Sequence, residues 1–242
     1  MFDNSDKPYT EVMFIFIKNK GVKKMKYKID MNYKIPGNQT VAFTSEWING
    51  ELALFAGEQL EKSGKVNEIV FTDEMNSTWS MKELRKLSAQ IETEPHEITV
   101  YFDGGFNKDT NEAGLGVVIY YKKGKKSYRL RANELIEEMD TNNEAEYAAL
   151  LFGLNLLQDL GVHHLPCEIK GDSQVVLKQL EGEWPCFEEN LNRWLDRIEE
   201  KIKELGIEPK YNAIPRKDNK EADKLATQAL EGTKINSTME IE

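Results

Sequence analysis

Cysteine is scarce in this chain of 242 residues: only Cys167 and Cys186 are present, and no CxxC pair sets thiols at metal-ligand spacing. That excludes a disulfide framework and a zinc ribbon or finger, and it fits two reduced thiols in a cytosolic setting. A long hydrophobic run is also missing. The strongest, VMFIFI at Val12–Ile17, is six residues, against the ~20 that a membrane-spanning helix requires. It is also shorter than the apolar part of a secretion signal. A cytoplasmic protein without a membrane partner is therefore expected. An excess of positive charge is missing too. The net charge is −10, and it is uneven: residues 1–96 carry 13 Lys and Arg against 14 Asp and Glu, residues 97–242 carry 19 against 28. Phosphate binding normally draws on clustered cations. A nucleic-acid role for the second part would need bound divalent ions to offset its acids locally. Internal repeats and low-complexity tracts are absent.

What is present, 40% hydrophobic and 31% charged residues, suits an ordinary globular protein of one large or two small domains. Residues 1–24 are expected to be disordered, or to precede a true start at Met25; a first strand at Glu11–Lys18 is the alternative. Residues 25–92 read as a small α+β unit. Strand-like runs at Lys26–Asp30 and Thr40–Thr44 flank the turn signal Pro36-Gly37-Asn38. A helix over Asn49–Lys62, a strand over Glu68–Thr72 and a helix over Ser80–Ile91 complete ββαβα. Ser80 and Glu83 form a capping box for the last helix. Residues 97–232 read as a mixed five-stranded α/β sheet flanked by helices. Its strands are Ile98–Phe102, Gly114–Tyr121, Ser127–Asn133, Pro166–Lys170 and Pro209–Ile214. Its helices are Asn142–Leu160, Ser173–Leu180, Glu188–Leu205 and Asn219–Leu230. Residues 233–242 are expected to be a disordered tail.

Four acids stand out by position. Asp103 ends a strand in VYFDGG, Glu146 lies one turn into a helix in TNNEAEY, Asp172 ends a strand in KGDSQVV, and Asp223 sits early in a helix in NKEADKLA. Singly, each has a plain explanation: a turn, an N-cap, a favourable charge near a helix start. Together they are harder to explain that way. Asp103 and Asp172 follow apolar strands, and ligand sites in open α/β sheets lie at the carboxyl ends of strands. Small apolar residues, Ala145, Ala148, Ala222 and Ala226, surround the other two. Gathered in low dielectric, such acids repel and take up protons unless a cation intervenes. Mg²⁺ favours carboxylate and water oxygens and leaves room for phosphate oxygens.

FDGG, TNNEAEY, GDSQVV and NKEADKLA, in this order and on these elements, resemble the ribonuclease HI family over about Ile98–Glu231. The resemblance implies a ribonuclease H-like fold. It also implies a two-ion site, Mg²⁺ or Mn²⁺, held by Asp103, Glu146, Asp172 and Asp223 as catalytic and metal residues. The implied reaction is endonucleolytic hydrolysis of the RNA strand of RNA–DNA hybrids, leaving a 5′-phosphate. For substrate it implies minor-groove contacts by Asn142, Asn143 and Gln174 and a phosphate contact by Thr141. Gly104 and Gly105 would let backbone amides approach a strand closely. Thr141 followed by Glu144 is also a capping box, which competes with a substrate role.

The chain departs from the family in two places. Many members carry a His in the loop before the last helix; here the loop is Tyr211–Asp218, and Arg216 is expected to serve there in part, or to be a surface cation. The segment EGEWPCFEENL puts acids where some members have a basic helix that grips substrate. Core packing is expected of Trp184 and Trp194. Residues 25–92 match no hybrid-binding module. Lys20, Lys23, Lys24, Lys26, Lys28 and Lys34, with Tyr27, Tyr33 and Trp47 nearby, suit either nucleic acid or a solvated face, and a protein partner is equally open. A second reading therefore stands beside the nuclease: a weak or inactive member of the fold that acts as a nucleic-acid-binding or adaptor protein. The sequence sets no oligomeric state.

Overall fold

The computed structural model describes residues 25–242. The expectations for residues 1–24, including the alternative first strand and Lys20, Lys23 and Lys24, fall outside the described residues. The chain divides between Thr93 and Glu94 into two compact units.

In the first unit β1 (Lys26–Ile35) lies antiparallel between β2 (Gln39–Thr44) and β4 (Val66–Asp73). β3 (Ile48–Asn49) pairs with the start of β1, and β5 (Thr78–Ser80) flanks β4. Helices α1 (Gly50–Ser63) and α2 (Met81–Thr93) complete it. β1 alternates as a half-covered strand must: Tyr27 and Ile29 are buried with Phe71, Trp79, Ala53 and Leu84, while Lys26 is exposed. The Ser80–Glu83 box forms, with Glu83 N donating to Ser80 Oγ at 3.3 Å and Ser80 N to Glu83 Oε2 at 2.9 Å. β3 and β5 escape sequence reading because two or three residues show no period.

The second unit is a six-stranded sheet in the order β10-β9-β6-β7-β8-β11. Its strands are β6 (His96–Asn107), β7 (Glu112–Lys123), β8 (Lys126–Ile136), β9 (Pro166–Gly171), β10 (Glu208–Ala213) and β11 (Asn236–Ile241). β6, β7 and β8 form antiparallel hairpins; β9 runs parallel to β6, and β10 parallel to β9. The helices are α3 (Asn142–Asp159), α4 (Gln174–Leu180), α5 (Glu189–Leu205) and α6 (Lys220–Leu230). Val100 and Val117 on one sheet face meet Gly153 of α3, and the alternating residues Gly114 and Gly116 meet α6 on the other. A Cβ at Gly116 would lie 2.1 Å from the Ala222 carbonyl oxygen, so glycine there lets α6 lie directly on the sheet.

Two expectations are corrected. Asp103 does not end its strand: β6 runs on to Asn107, because Gly104 and Gly105 keep pairing with Leu115 and Gly114 of β7. What does end near Asp103 is the parallel pairing with β9, whose last partners are Tyr101 and Lys170. Residues 233–242 are not a disordered tail. β11 pairs antiparallel with β8, and buried Asn133 locks it: Nδ2 donates to Leu225 O at 3.0 Å and Thr233 O at 2.8 Å, while Oδ1 accepts from Ile235 N at 2.6 Å. Exposed throughout except Ile241, the strand lacks the apolar alternation that sequence reading needs.

A chain ending at Gly232 takes Thr233 O and Ile235 N from the Asn133 side chain, leaving its Oδ1 without a partner and its Nδ2 with Leu225 O alone. Its urea midpoint should fall by the equivalent of about 1–3 kcal/mol, the usual cost of an unpaired buried polar group. An unchanged midpoint would show that β11 contributes nothing.

Candidate active site

Three of the four acids converge. One carboxylate oxygen each from Asp103, Glu146 and Asp172 lies within 4.8 Å of the other two. β6 supplies Asp103, the first turns of α3 supply Glu146, and Asp172 follows the last residue of β9. Gly104 makes the meeting possible: a Cβ there would fall 2.2 Å from the Ala145 carbonyl carbon and 2.4 Å from Glu146 N. Bare backbone at that position lets the strand touch the helix and brings Glu146 beside Asp103. Asp223, on α6, stands next to this trio without joining it. Its Oδ1 accepts from Arg216 Nη2 at 2.7 Å, and its charge still reaches Asp103.

Burial raises Asp103 to about 7, and the charges of Asp172 and Asp223 add to the shift while Arg216 opposes it. Glu146 is raised to about 9, first by burial and then by Asp103 and Asp172, against the Gly104 amide and Arg216. Glu146 Oε2 is buried with no hydrogen-bond partner. An orphaned carboxylate oxygen facing like charges is the donor set a hard divalent cation takes.

The remaining candidates surround this cluster. Thr141 caps α3, its Oγ1 accepting from Glu144 N at 3.2 Å, while Glu144 Oε2 accepts from Asp140 N at 2.9 Å, so the capping half of the expected box forms and the returning bond goes to the residue before the cap. Asn142 and Asn143 open α3 one turn before Glu146; Gln174 opens α4 two residues after Asp172 and is exposed. The space beside Gly105 is filled by Leu230 Cδ1 of α6, 3.4 Å from where a Cβ would stand. That is an ordinary contact distance, so of the two glycines the close approach belongs to Gly104 alone, and there it is to α3. Arg216 lies in the 3-10 turn Arg216–Asp218, its side chain 78% exposed. Trp184 contradicts the expected core packing: it is 45% exposed and Phe187 89%, in a segment beyond the end of α4 where Gly182 takes a left-handed conformation and no regular element forms. Trp194 does pack on the core, with the Arg197 guanidinium 4.6 Å over its ring.

Sequence reading missed Asn219. It is 1% exposed, and its Nδ2 donates to Asp172 Oδ1 at 2.8 Å and to Phe102 O at 2.9 Å. A lone Asn ahead of a helix looks like an N-cap, and nothing in the sequence tells the two uses apart. In the first unit, Lys28 Nζ stands 5.2 Å over the Trp47 ring. No helix among the described residues is long and apolar enough to cross a membrane.

Because the folded pKa values of Asp103 and Glu146 are raised, the folded protein holds protons that the unfolded chain releases. The stability linked to them is complete below their ordinary values, 3.8 and 4.5, and is lost as pH rises through about 7 and about 9. Without metal, the melting temperature should fall between about pH 5 and 8, and less steeply in Glu146→Gln. Mg²⁺ should raise it more at the higher pH. Parallel slopes for the two proteins would contradict this.

The comparisons with known proteins agree with this geometry. Residues 101–229 match the family described as Reverse transcriptase-like. The uncharacterised protein YpeP of Bacillus subtilis (strain 168) is 44% identical over 207 residues, 85% of this chain and 91% of that protein, a span too long for the second unit alone. Ribonuclease HI of Halobacterium salinarum is 33% identical over 135 residues, covering 55% of this chain and 64% of that protein. The crystal structure of RNase H1 from Halobacterium salinarum NRC-1 superposes with a TM-score of 0.50 at 32% identity, covering 56% of this chain and 98% of that one. With more than half of its length matched and a mixed sheet of the same fold, the chain belongs to the Reverse transcriptase-like family and carries a ribonuclease H-like domain behind an N-terminal unit of unrecognised type.

Proposed function

We propose that the second unit is a metal-dependent endonuclease of the ribonuclease H type, which hydrolyses the RNA strand of RNA–DNA hybrids to leave a 5′-phosphate and a 3′-hydroxyl. The observation that carries this reading is the convergence of Asp103, Glu146 and Asp172, with Asp223 alongside. The relatives named ribonuclease HI and RNase H1 support it. The donor set fits Mg²⁺ or Mn²⁺, and the four acids would hold two such ions. When bound, these ions supply the positive charge that activates a water and stabilises the departing oxygen.

The chain's own residues account for the rest. Asn142 and Asn143, one turn before Glu146, and Gln174, two residues after Asp172, would offer amides, which both donate and accept, on a rim beside the acids to the minor-groove edge and the 2′-hydroxyls of a hybrid. Thr141 stands on the same rim for a DNA phosphate, its hydroxyl retaining a donor while it caps α3. Gly104 serves by letting β6 touch α3, which brings Glu146 beside Asp103, and Gly105, whose surroundings would admit a Cβ, would offer its backbone amide to a substrate strand. Arg216 presents an exposed positive charge at the site in a strongly acidic part of the chain, where it attracts phosphate. In the first unit, Lys26 and Lys28 alternate along β1 with the core residues Tyr27 and Ile29, Lys34 is exposed near the end of the strand, and Lys28 with Trp47 forms a cation–aromatic pair. Both features suit a second nucleic-acid surface, with a protein partner as the alternative.

The adaptor reading rests on a different observation. Phe187, 89% exposed, is flanked by Glu188 and Glu189 in the segment where a basic grip would lie, which favours a protein contact over a phosphate contact.

Purified protein should cleave a hybrid in Mg²⁺ or Mn²⁺ and leave matched DNA and RNA duplexes intact. Asp103→Asn and Asp172→Asn should each lower the rate by more than the ~10–100-fold typical of groups that only support metal ligands. Their circular dichroism should stay native. Undiminished cleavage by both variants would overturn the nuclease assignment, and failure of the wild type to bind metal would favour the adaptor.

A further inference from the structure

An asparagine directly before a helix ordinarily caps it, its side chain accepting from a first-turn amide. Asn219 stands at that place before α6 and makes no such bond. Both of its amide protons go elsewhere, to Phe102 O and to Asp172 Oδ1. Its Oδ1 is buried with no partner, an arrangement that costs stability. Helix formation therefore does not explain the residue.

Its position relative to the sheet does. Backbone pairing between β6 and β9 stops at Tyr101 and Lys170. One residue further on each strand stand Phe102 and Gly171; one further still stand Asp103 and Asp172. The Asn219 amide takes hold here, joining the β6 backbone just before Asp103 to the carboxylate of Asp172. Asn219 O also accepts from Asp223 N at 3.1 Å, so the same residue sets the start of the helix that carries the fourth acid. We propose that Asn219 is a positioning residue that fixes the separation of Asp103 and Asp172 and thereby sets the affinity of the cluster for divalent cations. The inference rests on the metal-dependent reading of the site.

Mn²⁺ titrated calorimetrically into the full chain without nucleic acid tests it, together with kcat and KM on a hybrid at several Mn²⁺ concentrations. Asn219→Ala should weaken Mn²⁺ binding about 10–100-fold. It should lower kcat at limiting Mn²⁺, recover it at high Mn²⁺, and leave KM for the hybrid unchanged. Asn133→Ala is the control, since Asn133 holds the same helix through Leu225 O, away from the acids. It should lower the melting temperature and leave Mn²⁺ affinity as it was. If Asn219→Ala does not fold, Asn219→Ser, which retains one donor, should show the same direction of change. Wild-type Mn²⁺ affinity in a folded Asn219 variant overturns the positioning role alone, and so does equal weakening in Asn133→Ala. A wild-type chain that binds no Mn²⁺ overturns both this role and the nuclease reading.

Discussion

Carboxylates crowded into a protein interior repel one another and lose the water that would stabilise their charge. Much of the second unit can be read as the means of holding Asp103, Glu146 and Asp172 together in spite of that. Gly104 lets a strand touch a helix so that Glu146 reaches the strand's acid. Gly114 and Gly116 let α6 settle on the opposite face and bring Asp223 near. Asn219 joins two strands where their own pairing ends. Burial, and after it mutual repulsion, leaves Asp103 and Glu146 with raised proton affinity.

The meeting of Asp103, Glu146 and Asp172 was legible in the sequence, because four short motifs in a fixed order carry far more information than any one of them. The main elements were legible for a similar reason: Asn142–Asp159 and Glu189–Leu205 are long helices, and the β6–β8 hairpins are rich in β-branched and aromatic residues. The misses share a physical cause. β3 and β5 are too short to display a period, and β11 is too exposed. Asp103 looked like a strand end because Asp-Gly is a common turn dipeptide, whereas here the absent side chain of Gly104 makes room for α3 within a continuing strand. Asn219 was hidden because a cap and a cross-strand tether call for the same side chain.

The acidity of the second unit bears on substrate more than on chemistry. The segment from Glu181 to Glu189 has no basic character, and its aromatic side chains Trp184 and Phe187 stand in solvent. On the proposed hybrid-cleaving role, affinity for a polyanion would fall to Asn142, Asn143, Gln174 and Arg216 and to the first unit. That unit is no accessory peculiar to this sequence, since the likeness to YpeP extends into it.

The pairing of Arg216 with Asp223 has a consequence for how the protein comes to be made. Small metal domains that need their ion to fold remain unstructured until it arrives. Here a guanidinium already answers one acid, and elevated proton affinity quiets two others. A nascent chain can thus balance the charge of the cluster with groups of its own, a guanidinium and protons.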